Sequence, residues 1–247
     1  MSTATTTTTT LLALIAIAGC DAAAAPSPPP PQDPSIKALP AKVRELRERM
    51  HVRVAATRRL ERGIVFGSLD AVHTEAGLVA KLDEPDLPAA WRTYVDQIRA
   101  AAGQIEQAQD LVTAARTSAV LGRRCAQCHE AASAKIAFAK EAPPPPGPKL
   151  PSHMASHEWA AARLWEGLIG PSSDRWLEGA RALAKAPLAI VAEGDNLPPE
   201  VAVGNDVARI RLLATRAQVA KTQDERAALY GDLLATCARC HGKIRDP

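Results

Sequence analysis

The spacing Cys-x-x-Cys-His occurs twice in this chain, once over Cys125, Cys128 and His129 and again over Cys237, Cys240 and His241. On a helix, positions i, i+3 and i+4 share one face, so in each copy two thiols and one imidazole project together. The two copies use four of the chain's five cysteines and two of its six histidines. Random placement of that many cysteines and histidines would give one such motif with a probability of ~0.002. Two motifs in matching positions are rarer still, and chance is set aside.

Three chemistries use paired thiols. A Cys-x-x-Cys redox pair needs no following histidine and belongs after a strand, which neither "CAQC" nor "CARC" follows. Structural zinc wants four ligands around one ion, and each motif offers three with no second cysteine pair nearby. Covalent haem uses every residue present: the thiols take the two vinyl groups as thioethers, and the imidazole reaches the iron as proximal ligand. The sequence therefore predicts two haem c groups, attached through Cys125, Cys128, Cys237 and Cys240, with His129 and His241 on the irons. The chain holds few aromatic residues, with Trp 4, Tyr 2 and Phe 2. A buried porphyrin would fill core volume that such side chains usually supply.

Two proline-rich segments divide the chain. "DAAAAPSPPPPQDPS" follows Cys20, and "EAPPPPGPKLP" spans 141–151. Neither can bury a core, and both suit extended tethers. With an offset of 104, Met50 falls on Met154, Leu60 on Leu164, Gly63 on Gly167 and Asp70 on Asp174; by the cysteine motifs the offset is 112. The chain reads as a tandem duplication with extra residues in a loop around "EGDNLPP". Val43, Leu46, Met50, Thr57, Leu60 and Ile64 keep the three-four spacing of one helical stripe. Further helices are expected over 69–82, from about 88 to 116, and through Cys125 and His129. The second half repeats this, with "PSSD" opening its second helix and Thr222-x-x-Glu225 forming a capping box for its last. The expected fold is all-α: two tandem four-helix bundles, over 40–140 and 152–247, with a haem clamp on the last helix of each.

Leu11 to Ala18 form an apolar run too short to span a bilayer. Ile17-Ala18-Gly19-Cys20 resembles the lipobox of bacterial lipoproteins, although no Lys or Arg precedes it. The resemblance implies a signal peptide over 1–19, a lipid on Cys20 and a tether over 20–39. The protein is then held by its lipid to a membrane on the periplasmic side of the cell envelope, where c-type haem is attached in bacteria. Lys plus Arg number 30 against 27 for Asp plus Glu, a balance that argues against nucleic acid as a partner. The basic first helix reads as a solvated face, with docking to an acidic redox partner or anionic lipid as the alternative.

The sixth position of each iron decides between electron transfer and ligand binding. Met50 and Met154 occupy equivalent places on the inward stripes, as distal ligands or as core methionines filling gaps. The second site could use His157 instead, three residues after Met154 where the first half has Arg53, and His51, which like His153 flanks a methionine, is a further distal candidate.

A haem clamp on the final helix of a four-helix bundle resembles cytochrome c-prime and its relatives, and both halves follow that layout. "MASH" at 154–157 is similar to a Met-Ala-Ser-His stretch in the first helix of some cytochromes c-prime. Arg245, four residues after His241, matches a basic residue beside the proximal histidine of that family. The first half has "MHVR" and Ser133 in those places. In cytochromes c-prime the distal face is left open beneath an apolar side chain, whereas low-spin relatives use a methionine of this helix, which Met50 resembles. The expected function is a dihaem c-type cytochrome that passes electrons between redox partner proteins, a carrier with no acid-base constellation of an enzyme. The alternatives are a cytochrome c-prime-like protein that binds or senses nitric oxide or carbon monoxide, and a dihaem peroxidase.

Overall fold

The computed structural model describes residues 40–81, 87–147, 150–185 and 203–245, and its regular structure is entirely helical. The expected leader, Cys20, the first tether and the "EGDNLPP" loop lie outside the described residues. The first half contributes α1 (Pro40–Phe66), α2 (Leu69–Lys81), α3 (Ala89–Glu106) and α4 (Leu111–Ala131). The second contributes α5 (Leu150–Ile169), α6 (Ser173–Lys185), α7 (Gly204–Ala217) and α8 (Gln223–Arg245). Among the described residues no helix is long and apolar enough to cross a membrane.

Local chemistry sets the helix ends, and it repeats between the halves. Gly67, at φ 79°, ends α1 in the left-handed region that suits glycine. Ser68 N–H then reaches back to the Gly63 carbonyl at 2.8 Å, and Ser68 Oγ accepts from Ala71 N–H at 3.2 Å to start α2. Ser172, 104 residues on, starts α6 in the same way, its Oγ accepting from Arg175 N–H at 3.3 Å. Asp110 caps α4 by accepting from Thr113 N–H at 2.8 Å. Thr222, 112 residues on, accepts from Glu225 N–H at 3.1 Å while Glu225 Oε2 accepts from Thr222 N–H at 3.0 Å. The expected capping box is therefore present. The offset changes between α6 and α7, where the extra residues were expected.

One expected helix is corrected. The sequence predicts a third helix from about 88 to 116, but α3 stops at Glu106 and α4 begins at Leu111. Apolar periodicity runs through this break without marking it. What ends one helix and starts the next is the Asp110 cap, together with His73 Nε2–H, which donates to the Ala108 carbonyl at 2.8 Å. The expected second linker is also shorter: α5 takes in Leu150 and Pro151, since proline in a first turn lacks only an N–H that has no helical partner. The start of that linker is held down. Arg175 donates to the carbonyls of Phe138 and Ala139 at 3.3 and 3.1 Å, and Trp159 Nε1–H to that of Glu141 at 3.2 Å.

Consecutive helices pack on each other within each half. The halves join along α4 and α8, with α1 against α8 and α5 against α4. Since α1 corresponds to α5 and α4 to α8, these last two are one contact made twice, as across a two-fold axis. One large apolar core runs through both halves, from Leu60 and Ile64 through Leu121 to Leu164, Trp165, Leu213 and Leu234, and a smaller cluster of Leu87, Trp91 and Val95 stands apart from it in the first half. Trp165 lies across the join. It stacks on Tyr230 with ring centroids 5.6 Å apart, and it fills the space that a Cβ on Gly122 would need, its Cζ3 lying 2.5 Å from that position.

Candidate functional site

The first clamp closes α4. Cys125 is buried, Cys128 and His129 half-buried, and the helix ends two residues beyond His129. Its end is a reverse turn in which Ser133 N–H bonds to the Glu130 carbonyl at 3.0 Å and Ala134 N–H to that of His129 at 2.9 Å. This turn requires a left-handed residue, and Ser133 supplies it at φ 48°. The second clamp does not close its helix, because α8 continues through Arg245. The side chain of Arg245, which was matched to a basic residue beside the proximal histidine, lies outside the described residues.

Each histidine is backed by the opposite half. His129 Nδ1 lies 2.7 Å from the carbonyl oxygen of Ile169, the last residue of α5. That carbonyl is one of the four a helix end leaves without an internal partner. It can only accept, so Nδ1 carries the proton and Nε2 keeps its lone pair for a metal. Burial, outweighing this bond, holds His129 below the usual histidine pKa, and the nearby Arg53 charge adds to the effect. His241 meets the last residue of α1 instead, the Phe66 ring standing edge-on with centroids 5.5 Å apart. Burial lowers its pKa as well. Both imidazoles are thus biased toward the neutral form that ligates a metal.

Cys125 is buried, Cys128, Cys237 and Cys240 are half-buried, and none of the four is in a disulfide. Reactive cysteines have depressed pKa values. Here burial pushes Cys125 and Cys237 up to about 12, and Cys240 is raised too, by burial and then by the Asp206 carboxylate. Among the described residues no His, Cys, Asp and Glu side chains converge in threes on a point where a bare ion would sit. The donor sets fit a porphyrin clamp, in which the thiols bond to carbon and only the imidazole faces the metal, better than they fit zinc.

The expected distal residues divide. Met50 and Arg53 stand on one stripe of α1 and are joined, Arg53 Nη1 donating to Met50 Sδ at 3.7 Å. Arg53 is only 5% exposed, and its charge acts on both Cys125 and His129. His157, its counterpart on α5, has a buried Nε2 with no hydrogen-bond partner among the described residues. Burial first, then the charges of His153 and His241, push its pKa down to about 4. Met154 is half-buried, and His51 is exposed on α1, turned out of this arrangement.

Three features beside the clamps were missed from the sequence. Asp206 of α7 is 5% exposed and ties α7 to α8 through Lys243 Nζ at 2.8 Å and Arg239 Nε at 3.6 Å. In the sequence Asp206 is an acid in the first turn of a helix, which says nothing of its partners on α8. Glu61 of α1 accepts from the Tyr230 hydroxyl at 2.5 Å. Arg58 of α1 reaches Glu166 of α5 at 2.7 Å, and Glu166 also pairs with Arg163 and Arg175. The last two cross between halves, so only the register of α1 against α5 and α8 could have revealed them. No protein-family model matches the chain, and comparison with curated proteins and with solved structures finds no match.

Proposed function

We propose that the protein is a dihaem c-type cytochrome that carries electrons in the bacterial cell envelope, each half being a four-helix haem unit that resembles cytochrome c-prime. Cys125 and Cys128 would hold one haem and Cys237 and Cys240 the other, with His129 and His241 as proximal ligands. When bound, the groups supply one-electron iron chemistry. The single observation that carries the reading is the His129 pairing: Nδ1 is spent on the Ile169 carbonyl, which orients the ring and reserves Nε2 for iron.

The chain's own residues account for the rest. Buried, weakly acidic thiols suit stable attachment rather than exchange. Gly122, one turn before Cys125, touches Trp165; Trp165 stacks on Tyr230; Tyr230 stands two turns before Cys237 on the same helix. Two packed contacts thus lie between the helix of one clamp and the helix of the other, a route along which electrons could pass. A lipid on Cys20 would keep the carrier at a membrane surface, where redox partner proteins dock. The test is a reductive titration of the protein matured with haem. Two reversible one-electron waves, each lost with its own proximal histidine, are expected; haems that cannot be reduced and reoxidised reversibly would refute an electron carrier.

A further inference from the structure

Arg226 stands in the first turn of α8, where the helix dipole disfavours a cation, and it is only 7% exposed. Its guanidinium lies over the Trp176 ring, 5.6 Å from the centroid, and Nη2 donates to Ser173 Oγ at 2.9 Å. Its Nε is buried without a hydrogen-bond partner among the described residues. Burial lowers its pKa, and no described carboxylate opposes that shift, Asp174 included. A guanidinium stays protonated even so, and a charge taken out of water calls for a counter-charge. Ser173, on which it rests, is the first residue of α6. The capping Ser172 Oγ takes the N–H of Arg175, and the Trp176 N–H goes to the Ser172 carbonyl. The N–H groups of Ser173 and Asp174 are among those a helix start leaves without an internal partner, and they form the positive end of its dipole. Gln223, one turn before Arg226 on α8, buries an Oε1 that also has no partner among the described residues.

We propose that the start of α6, together with Arg226 and Gln223 of α8, binds one orthophosphate ion, a site that does not depend on haem. It opens to solvent at Ser173, which is exposed. Arg226 Nε, the Ser173 hydroxyl and the free N–H groups donate to the phosphate oxygens. The ion offsets the guanidinium charge, which a water molecule in the same place would not do. Orthophosphate keeps a P–OH at neutral pH and so also donates to Gln223 Oε1, a buried acceptor that sulfate and chloride would leave unsatisfied. At the offsets of 104 and 112 that align the halves, the first half has Leu69, Leu111 and Ala114 in place of Ser173, Gln223 and Arg226. One site per chain follows.

The test uses the full chain expressed with a c-type haem maturation system and dialysed free of phosphate. Phosphate, sulfate and chloride are titrated calorimetrically at fixed ionic strength, and urea midpoints are followed in the same series. One phosphate per chain is expected to bind saturably, with sulfate and chloride at least about tenfold weaker for want of the donor to Gln223. Salts excluded from the surface also stabilise, but sulfate shares that effect and it does not saturate. Above Kd the midpoint is expected to rise with the logarithm of phosphate concentration. Arg226→Met is expected to abolish both the binding and that rise. Ser173→Ala, at an exposed position, is expected to weaken phosphate about five- to tenfold. Absence of saturable phosphate binding, equal affinity for sulfate, or undiminished binding by Arg226→Met would each overturn the inference. Binding of vesicles that carry phosphatidic acid, without binding of free phosphate, would overturn it too. If Arg226→Met does not fold, the Ser173→Ala affinity and the sulfate comparison still decide.

Discussion

Glu61 and Tyr230 show how one pair of side chains records the joining of the halves. Burial pushes the Glu61 carboxyl up to about 8, against the opposing effects of the Tyr230 hydroxyl and the Arg58 charge. The native state therefore binds this proton more tightly than the unfolded chain does. Its contribution to stability is full below the ordinary carboxylate pKa and falls as pH rises toward 8. Urea unfolding is expected to show that decline between about pH 5 and 8, where the unfolded carboxyl is ionised and the native one is not. Glu61→Gln is expected to flatten it, and an unchanged slope in that variant would remove Glu61 as its cause. Residues of this kind were the least legible in the sequence. The clamp cysteines and histidines announce themselves by spacing, but Glu61 and Asp206 gain their character from a neighbour far along the chain.

Helices were more legible than single partners, because apolar periodicity and caps are written locally. The stripe of α1, the capping box of α8 and the serine starts of α2 and α6 follow from a few adjacent residues. The break between α3 and α4 escaped because the apolar pattern is continuous across it. Where helices cross, the repeat makes a graded prediction. A Cβ on Gly167 would meet the Trp176 backbone nitrogen at 2.4 Å, whereas one on Gly63 would meet Val72 Cγ2 at 3.0 Å and its nitrogen at 3.2 Å. A methyl can be accommodated by a side chain far more readily than by a helix backbone. Gly167→Ala is expected to cost about 2–3 kcal/mol and Gly63→Ala clearly less, read as shifts in the urea midpoint at constant m. Equal losses would mean that the two crossings are not as different as these distances make them.

At the scale of the whole molecule, the all-helical class was legible, but the way the helices of the two halves close on each other was not. Two proline-rich segments suggest two bundles joined by an extended linker. The described residues share a large core across α4 and α8, and the second linker is pinned at its start by Trp159 on the Glu141 carbonyl. Glu166 is central to that join, 1% exposed and flanked by Arg58 of α1, Arg163 of α5 and Arg175 of α6. Removing it leaves Arg163, which is fully buried, without its nearest carboxylate. Glu166→Ala is expected to lower stability by about 3–5 kcal/mol in one cooperative transition. Loss confined to one half, seen as two separated transitions, would show that the halves fold independently.

The central claim is that each half carries one covalent haem. The most direct measurement is the intact mass of the full chain expressed with a c-type haem maturation system, beside Cys125→Ser/Cys128→Ser and Cys237→Ser/Cys240→Ser variants. Two haem masses on the unaltered chain and one on each variant are expected. A chain that matures in that system without haem, or with haem on only one clamp, would contradict the account.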